Sequence, residues 1–565
     1  MNYQNDIITI LQKALQNNLS TEQIENLLET PKHTHMGDVA LPCFELAKIE
    51  KKNPAQIAQE LATQINPKNT IISHVEAAGP YVNLFLNKSQ FATELLQTII
   101  TEGQQYGTQS YGAGKTITMD VSHPNIAKPF SMGHLRSTVI GNAIGNLLEK
   151  TGYNVERLNY LGDWGTQFGK LIAAYKLWGD EEKVRANPIQ ELLNLYVYFH
   201  EKAEEDNSLD QLGRDWFKKL EKGDEEATKI WKWFREESLE AFQTIYDLLN
   251  VSFDSYKGES SFHAQSDQII EMLNQKGLLE ESDGAQVVRL DDLDMPPALI
   301  KKSDGTTLYT TRDLAAAIYR KETYQHAESL YVVGNEQSLH FNQVRAVLYK
   351  LGYEWSGEIT HISFGMMLKD GKKMSTRKGK VVFLEEALEK AIQYAKENVE
   401  EKNPYLAQKD EVARQIGVGA VIFHDLKNDR RNDIEFSYDE MLRFDGDTAP
   451  YLQYTYARAK SILRKAGATS TSYQFHEADW DYSWPIIQKM ASFPDVIQQA
   501  VYYYDPSKMA KYLLKLAQNF NSYYANVRIL EEGPNQSSRL ALVQSVSVVI
   551  KEGLSLLGIE APEEM

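Results

Sequence analysis

Residues Asp120 to Arg136 read D-V-S-H-P-N-I-A-K-P-F-S-M-G-H-L-R, and this stretch decides the fold class. Just upstream, Thr116-Ile-Thr-Met-Asp-Val121 is rich in β-branched and apolar residues, the composition of a buried strand in an α/β sheet. Downstream, Leu135, Val139, Ile140, Ala143, Ile144, Leu147 and Leu148 recur at helical spacing. Gly141 and Gly145, four apart on that helix, leave room for it to lie close on the sheet. Ligands of open α/β sheets sit beyond the carboxyl ends of strands, where helix N-termini offer free N–H groups to phosphate. His134 falls at that point, so the segment predicts a nucleotide site.

The rest of the chain bounds what that site serves. Its 565 residues, 42% hydrophobic, can bury several cores, which sets an expectation of two to four domains. The single cysteine, Cys43, excludes an internal disulfide and a Cys₄ or Cys₂His₂ zinc site, so no structural metal is expected and a reducing cytoplasm fits. The N-terminus carries no basic n-region, and no run approaches the ~20 apolar residues of a membrane span, so neither targeting nor a membrane partner is expected. A formal charge of −18 argues against indiscriminate nucleic-acid binding; a nucleic-acid partner needs local basic patches.

One such patch is Lys369 to Lys380, K-D-G-K-K-M-S-T-R-K-G-K, with six basic residues in twelve. It lies between His361-Ile-Ser-Phe-Gly-Met-Met-Leu368, which reads as a strand, and Phe383 to Ala395, which reads as a helix. On its own it is either a solvated charge run or a loop that closes over phosphate.

Two resemblances narrow this. Ser131-Met132-Gly133-His134 resembles the HIGH signature of class I aminoacyl-tRNA synthetases, and Lys373-Met374-Ser375-Thr376-Arg377 resembles their KMSKS signature, in the required order. The longer string S-x-P-N-I-A-K-P-F followed by G-H-L-R-S-T is similar to arginyl-tRNA synthetases in particular. Ser131 stands at the first histidine of one signature and Thr376 at the second lysine of the other. A replacement cation must then come from Lys128, Arg377 or Lys378, and Lys128, on the ATP side of the first motif, is the expected one.

The resemblance implies an α/β fold: a Rossmann-type class I catalytic domain with an N-terminal α+β domain and a C-terminal all-α helix bundle. It implies ATP, with Mg²⁺, as a substrate. Catalysis would fall to Lys128, His134, Lys373 and Arg377, and ATP binding to Ser131, Gly133, His134, His340, Met374 and Ser375. Arginine would be held by Asp120 and Asn125 on its backbone, Gln337 at its α-amino end, and Tyr309 and Asp313 at its side chain. Read alone, Tyr309-Thr-Thr-Arg-Asp313 opens a helical run that brings Tyr309 and Asp313 together, yet Asp313 could equally be a helix-start charge. Glu259 is either a second carboxylate for the guanidinium or an exposed loop residue. Gly162-Asp-Trp-Gly-Thr-Gln-Phe-Gly169 also matches the family; its glycines point to an architectural role, with Asp163 or Gln167 touching ATP or the tRNA acceptor end as the alternative.

The expected domains are 1–110, meeting the tRNA elbow; 111–402, catalytic, with a helical insertion at about 180–250; and 403–565, an anticodon-binding bundle of DALR type. Tyr81 and Asn83 alternate onto one face of a strand and are the candidate contacts to an unpaired base in the first domain. In the last, Tyr454, Arg458, Tyr523, Tyr524 and Met565 are the candidates. The resemblance further implies a monomer whose activation of arginine needs tRNA. Two other readings stay open: a class I synthetase for another amino acid, disfavoured by the Tyr309/Asp313 carboxylate site, and a non-catalytic RNA-binding relative, supported only by Ser131 and Thr376.

Overall fold

The computed structural model describes the chain apart from residues 1–2, 17, 30, 32, 69, 303–308, 374–382, 468–472 and 476–479. It divides into two compact units. The smaller comprises Met1–Tyr106, Ala459–Ser492 and Gln518–Val549; the larger comprises Gly107–Arg458, Phe493–Ala517 and Ile550–Met565. Among the described residues, no helix is long and apolar enough to cross a membrane.

In the smaller unit, strands β1 (Val39–Pro42), β2 (Ile72–Ala78) and β3 (Tyr81–Leu86) form an antiparallel sheet ordered β1-β3-β2. Gly79, at φ 58°, makes the tight turn of the β2–β3 hairpin. Helices Pro54–Gln64 and Lys88–Glu102 bury Ile57, Leu61, Phe91, Leu95 and Ile99, and Asn53 and Asn87 cap their first turns. Strand β1 was not foreseen from sequence: four residues ending at a proline show no alternation to read.

The larger unit holds the first motif. Its strands begin with β4 (Thr116–Ser122) and β5 (Asn154–Asn159), then β6 (Leu279–Ser282), β7 (Ala285–Val288) and β8 (Ala298–Lys301). They continue with β9 (Glu328–Gly334), β10 (Ile359–Phe364), β11 (Met367–Lys369), β12 (Lys372–Lys373) and β13 (Ile434–Glu435). Strands β10-β9-β4-β5 form an all-parallel sheet, with Met119 opposite Leu330 on one side and Arg157 on the other. Central strand β4 is almost wholly buried, its polar Thr118, Asp120 and Ser122 included. On this sheet lies the helix Met132–Lys150, where a Cβ on Gly141 would collide with Val121. Strands β6, β7 and β8 make an antiparallel meander.

The insertion is helical as its pattern suggests, with helices Glu181–Ala186, Pro188–Glu205, Ser208–Glu221 and Glu225–Leu248. Trp216 is buried in its core with Phe199, Phe217 and Phe234, and Trp231 and Trp233 pack against it. Two local readings are corrected. The run His361–Leu368 is not one strand, because Gly365 and Met366 break it into β10 and β11. Beyond Asn403 the chain is not purely helical, since Ile434–Glu435 pairs in parallel with β11.

Candidate active site

The turn after β4 is shaped by its own backbone and by the insertion. Ala127 adopts a left-handed φ of 59°, and its N–H donates to Ser238 Oγ at 3.0 Å, from the insertion helix Glu225–Leu248. Next to it, Lys128 Nζ lies 5.4 Å from the ring centre of Tyr196, on the helix Pro188–Glu205. The catalytic lysine candidate is thus bracketed by the insertion.

At the start of the helix Met132–Lys150, His134 Nδ1 accepts from the Ser131 backbone N–H at 3.1 Å, and Ser131 Oγ stands at the same distance. The neutral ring therefore carries its proton on Nε2. Burial first, then the charges of His123 and Lys128, lower its pKa to about 4. His134 is a neutral donor at physiological pH. Gly133 is exposed, and among the described residues a Cβ there would meet Ser131 Oγ alone, at 3.6 Å, at a helix start of the kind that can face a phosphate.

The second signature converges on the first. Ser131 bridges Phe383, and Leu384 N–H donates to Phe130 O at 3.0 Å, so the chain returning from the basic loop is tied to the first motif. Asp370 and Gly371, both at positive φ, turn β11 into β12, which ends at Lys373. Met374, Ser375, Thr376, Arg377 and Lys378 lie outside the described residues. Arg136, fully buried on the first-signature helix, joins both: it pairs with Asp425 at 3.0 Å and donates to the carbonyls of Gly365 at 2.6 Å and Asn432 at 3.0 Å.

A second cluster lies at the carboxyl ends of β4 and β5. Asp120 is buried; its Oδ2 accepts from Arg320 at 2.6 Å and its Oδ1 lies 2.8 Å from His123 Nε2. The Arg320 guanidinium sits between the rings of Tyr160 and Tyr331, 5.1 and 5.0 Å away. On the same helix, Tyr309–Tyr324, Tyr309 and Asp313 stand one turn apart. Asp313 Oδ2 is 2.7 Å from His340 Nε2, and the half-exposed Tyr309 ring tilts over His340 at 4.9 Å. His340, expected near ATP, is thereby placed on the Asp313 carboxylate.

Glu259 is not an exposed loop residue. Its Oε2 receives both Nε and a terminal nitrogen of Arg312 at 2.8 Å. Burial first, with Asp313 adding to it and Arg312 opposing, raises its pKa to about 7. Asp163 fixes this loop: its carboxylate takes Arg235 Nε at 2.9 Å and both N–H and Oγ of Ser260 at 2.8 Å. A side chain on Gly258 would strike that carboxylate. The glycine-rich segment is therefore a clamp for Glu259. Asn125 bridges Gly162 beside it, whereas Gln337 is exposed on the turn after β9.

Arg136, Arg312 and Arg320 went unassigned in the sequence reading. Arg312 and Arg320 are eight apart on one helix and flank an alanine-rich stretch, a pattern that marks one buried face. Nothing in sequence couples Arg136 to Asp425.

Both clusters, the neutral histidine at its helix start and the carboxylates of Asp313 and Glu259, fall where the chain matches the family description "tRNA synthetases class I (R), catalytic domain", over residues 95–438. The flanks match "Arginyl tRNA synthetase N terminal domain" at 3–86 and "DALR anticodon binding domain" at 452–565. The chain belongs to the arginyl-tRNA synthetase family. It is 55% identical to arginine–tRNA ligase 1 of Bacillus cereus and 54% identical to the arginine–tRNA ligase of Enterococcus faecalis, each covered in full along with this chain. The arginyl-tRNA synthetase of Thermus thermophilus superposes with a TM-score of 0.82 at 26% identity, covering both chains completely. That of Plasmodium falciparum shares the fold at a TM-score of 0.79 and 24% identity, over 100% of this chain and 99% of its own.

The RNA-facing candidates of this synthetase differ in exposure. Tyr81 is half-buried and meets the exposed Phe44 edge-on at 5.8 Å, while Asn83 is buried in the central strand. Tyr454 is exposed with the Arg458 guanidinium 4.8 Å from its ring centre. Tyr523 is buried and Tyr524 exposed, so Tyr524 is the ring of that pair a base can reach. Met565 packs against the cluster of Val399, Leu406 and Ile416. No group of three or more His, Cys, Asp or Glu side chains poised for a metal occurs among the described residues.

Proposed function

We propose that this chain ligates L-arginine to its tRNA in two steps, with the roles that follow. The arginine carboxylate attacks the α-phosphate of ATP, displacing pyrophosphate, and the terminal ribose hydroxyl of tRNA then attacks the adenylate carbonyl, releasing AMP. The observation that carries this reading is the juxtaposition of Asp313, His340 and Tyr309 with the Glu259–Arg312 pair, at the same sheet edge as Asp120. Two carboxylates suit a planar cation that cannot shed its charge.

Asp120 and Asn125 hold the amino-acid backbone, with Gln337 closing from the β9 turn. His134 donates Nε2–H to the phosphates, and Lys128 carries the cation that Thr376 cannot supply; Lys373, Met374, Ser375 and Arg377 close over the triphosphate. Ser131, Gly133, His134 and Lys128 include no carboxylate, so Mg²⁺ would enter with the nucleotide and would offset part of its triphosphate charge. Both steps are positioning plus electrostatics, with no covalent enzyme intermediate. Tyr81 serves the tRNA elbow, and Tyr454, Arg458, Tyr524 and Met565 serve the anticodon loop. The protein acts as a cytoplasmic monomer with domains near 1–110, 111–402 and 403–565.

The test is pyrophosphate exchange across all twenty amino acids, with and without tRNA. Exchange with arginine alone, and only when tRNA is bound, is expected. Exchange with another amino acid, or none under any condition, overturns the reading.

A further inference from the structure

Tyr160 follows β5 directly, at the carboxyl edge of the parallel sheet, and its N–H donates to Ser122 O at 2.9 Å. The next residue, Leu161, accepts from the Glu259 N–H at 2.9 Å, so the tyrosine is backbone neighbour to the Glu259 loop. Its ring is fixed between the Arg320 guanidinium, 5.1 Å away, and Phe262, 6.0 Å away. Despite this support its hydroxyl, closed off from solvent, has no hydrogen-bond partner among the described residues. A buried phenol left unpaired is costly and calls for an explanation. Burial first, then the charges of Asp313 and Glu259, raise its pKa well above the ordinary phenol range, so the hydroxyl stays protonated. Its oxygen offers lone pairs on the sheet edge that carries the Glu259 loop.

The surroundings select the missing partner. Arg312 occupies only Oε2 of Glu259, which leaves Oε1 open to a further donor. A ligand that satisfies Asp313, Glu259 and the phenol together must present N–H donors along several edges of one plane. A guanidinium has five such donors; an ammonium has three, crowded on one atom. We propose that the Tyr160 hydroxyl is a specificity determinant that accepts an N–H from the guanidinium of bound arginine, so that arginine is preferred over lysine. This rests on the reading of the Asp313/Glu259 cluster as the seat of the arginine side chain.

The experiment is Tyr160→Phe in the full chain, assayed by tRNA-dependent pyrophosphate exchange and by thermal melting. The KM for arginine rises about 10- to 100-fold, with kcat and the KM for ATP unchanged and the preference over lysine reduced. The melting temperature of the free enzyme stays level or rises, because the substitution removes no bond that the free enzyme makes. An arginine KM equal to wild type overturns the proposal, as does a clear fall in melting temperature, which would give the hydroxyl a structural partner. A wild-type enzyme without arginine-dependent exchange fails at the earlier step and overturns the reading of the cluster instead.

Discussion

At neutral pH His134 carries no charge, because burial, with His123 and Lys128 nearby, holds its pKa at about 4. Its contribution is one aimed N–H, and losing such a donor typically slows the chemical step roughly 10²–10³-fold. His134→Ala should therefore reduce single-turnover arginine activation on that scale, while wild-type activation shows no inflection from this residue between pH 6 and 8 in a stopped-flow pH series. Glu259 behaves oppositely. With a pKa raised to about 7, its carboxylate is protonated below that point, so the KM for arginine should climb as pH falls through 7. In stability the sign reverses. The folded state binds more protons than the unfolded chain between the ordinary carboxyl pKa of about 4.5 and about 7, so this group destabilises the fold as pH rises across that window. Glu259→Gln should flatten that part of a melting-temperature profile. Both residues were named from sequence; their protonation was not, since it depends on burial and, for Glu259, on Arg312 and Asp313 far along the chain.

At the scale of elements, the two signatures meet through backbone. Leu384 N–H to Phe130 O, with the Ser131–Phe383 bridge, ties the exit of the basic loop to the entry of the first helix. Arg136 anchors the loop's approach through Gly365 and Met366. Removing one member of a buried ion pair leaves the other uncompensated, typically costing ~3–5 kcal/mol. Arg136→Met should show that loss in denaturant unfolding, and Arg136→Met with Asp425→Leu should recover part of it. The insertion contributes a subtler contact. Ser238→Ala leaves the Ala127 N–H unpaired at a left-handed residue, at a cost of about 1–3 kcal/mol, and loosens the turn holding Lys128. A lower melting temperature together with slower activation is expected; unchanged activation would show that the insertion does not position the lysine turn. The strand–turn–helix was legible in apolar spacing alone, whereas β1 and β13 were too short to carry any period.

For the whole molecule, a net charge of −18 must admit a polyanionic partner. Local cations such as Arg458, beside exposed Tyr454, are the groups proposed to meet it, and phosphate contacts of that kind weaken with salt. The KM for tRNA should rise steeply as KCl is increased, with the KM for arginine changing little; aminoacylation kinetics at graded ionic strength measure both. Sequence by itself determined the catalytic fold and the order of the two signatures and named the candidate residues of the site, because hydrophobic period and short motifs are local properties of the chain. It also separated this chain from a random nucleotide binder, through the run from Asp120 to Arg136 and its resemblance to arginyl-tRNA synthetases. Only the tertiary structure decided what each charge faces. It set Arg320 on Asp120, Arg312 on Glu259, His340 on Asp313 and Arg136 on Asp425, and it left the Tyr160 hydroxyl unpaired. These pairings join residues from 27 to 289 positions apart. Burial and electrostatic partnership are set by distance in space, which no local pattern encodes.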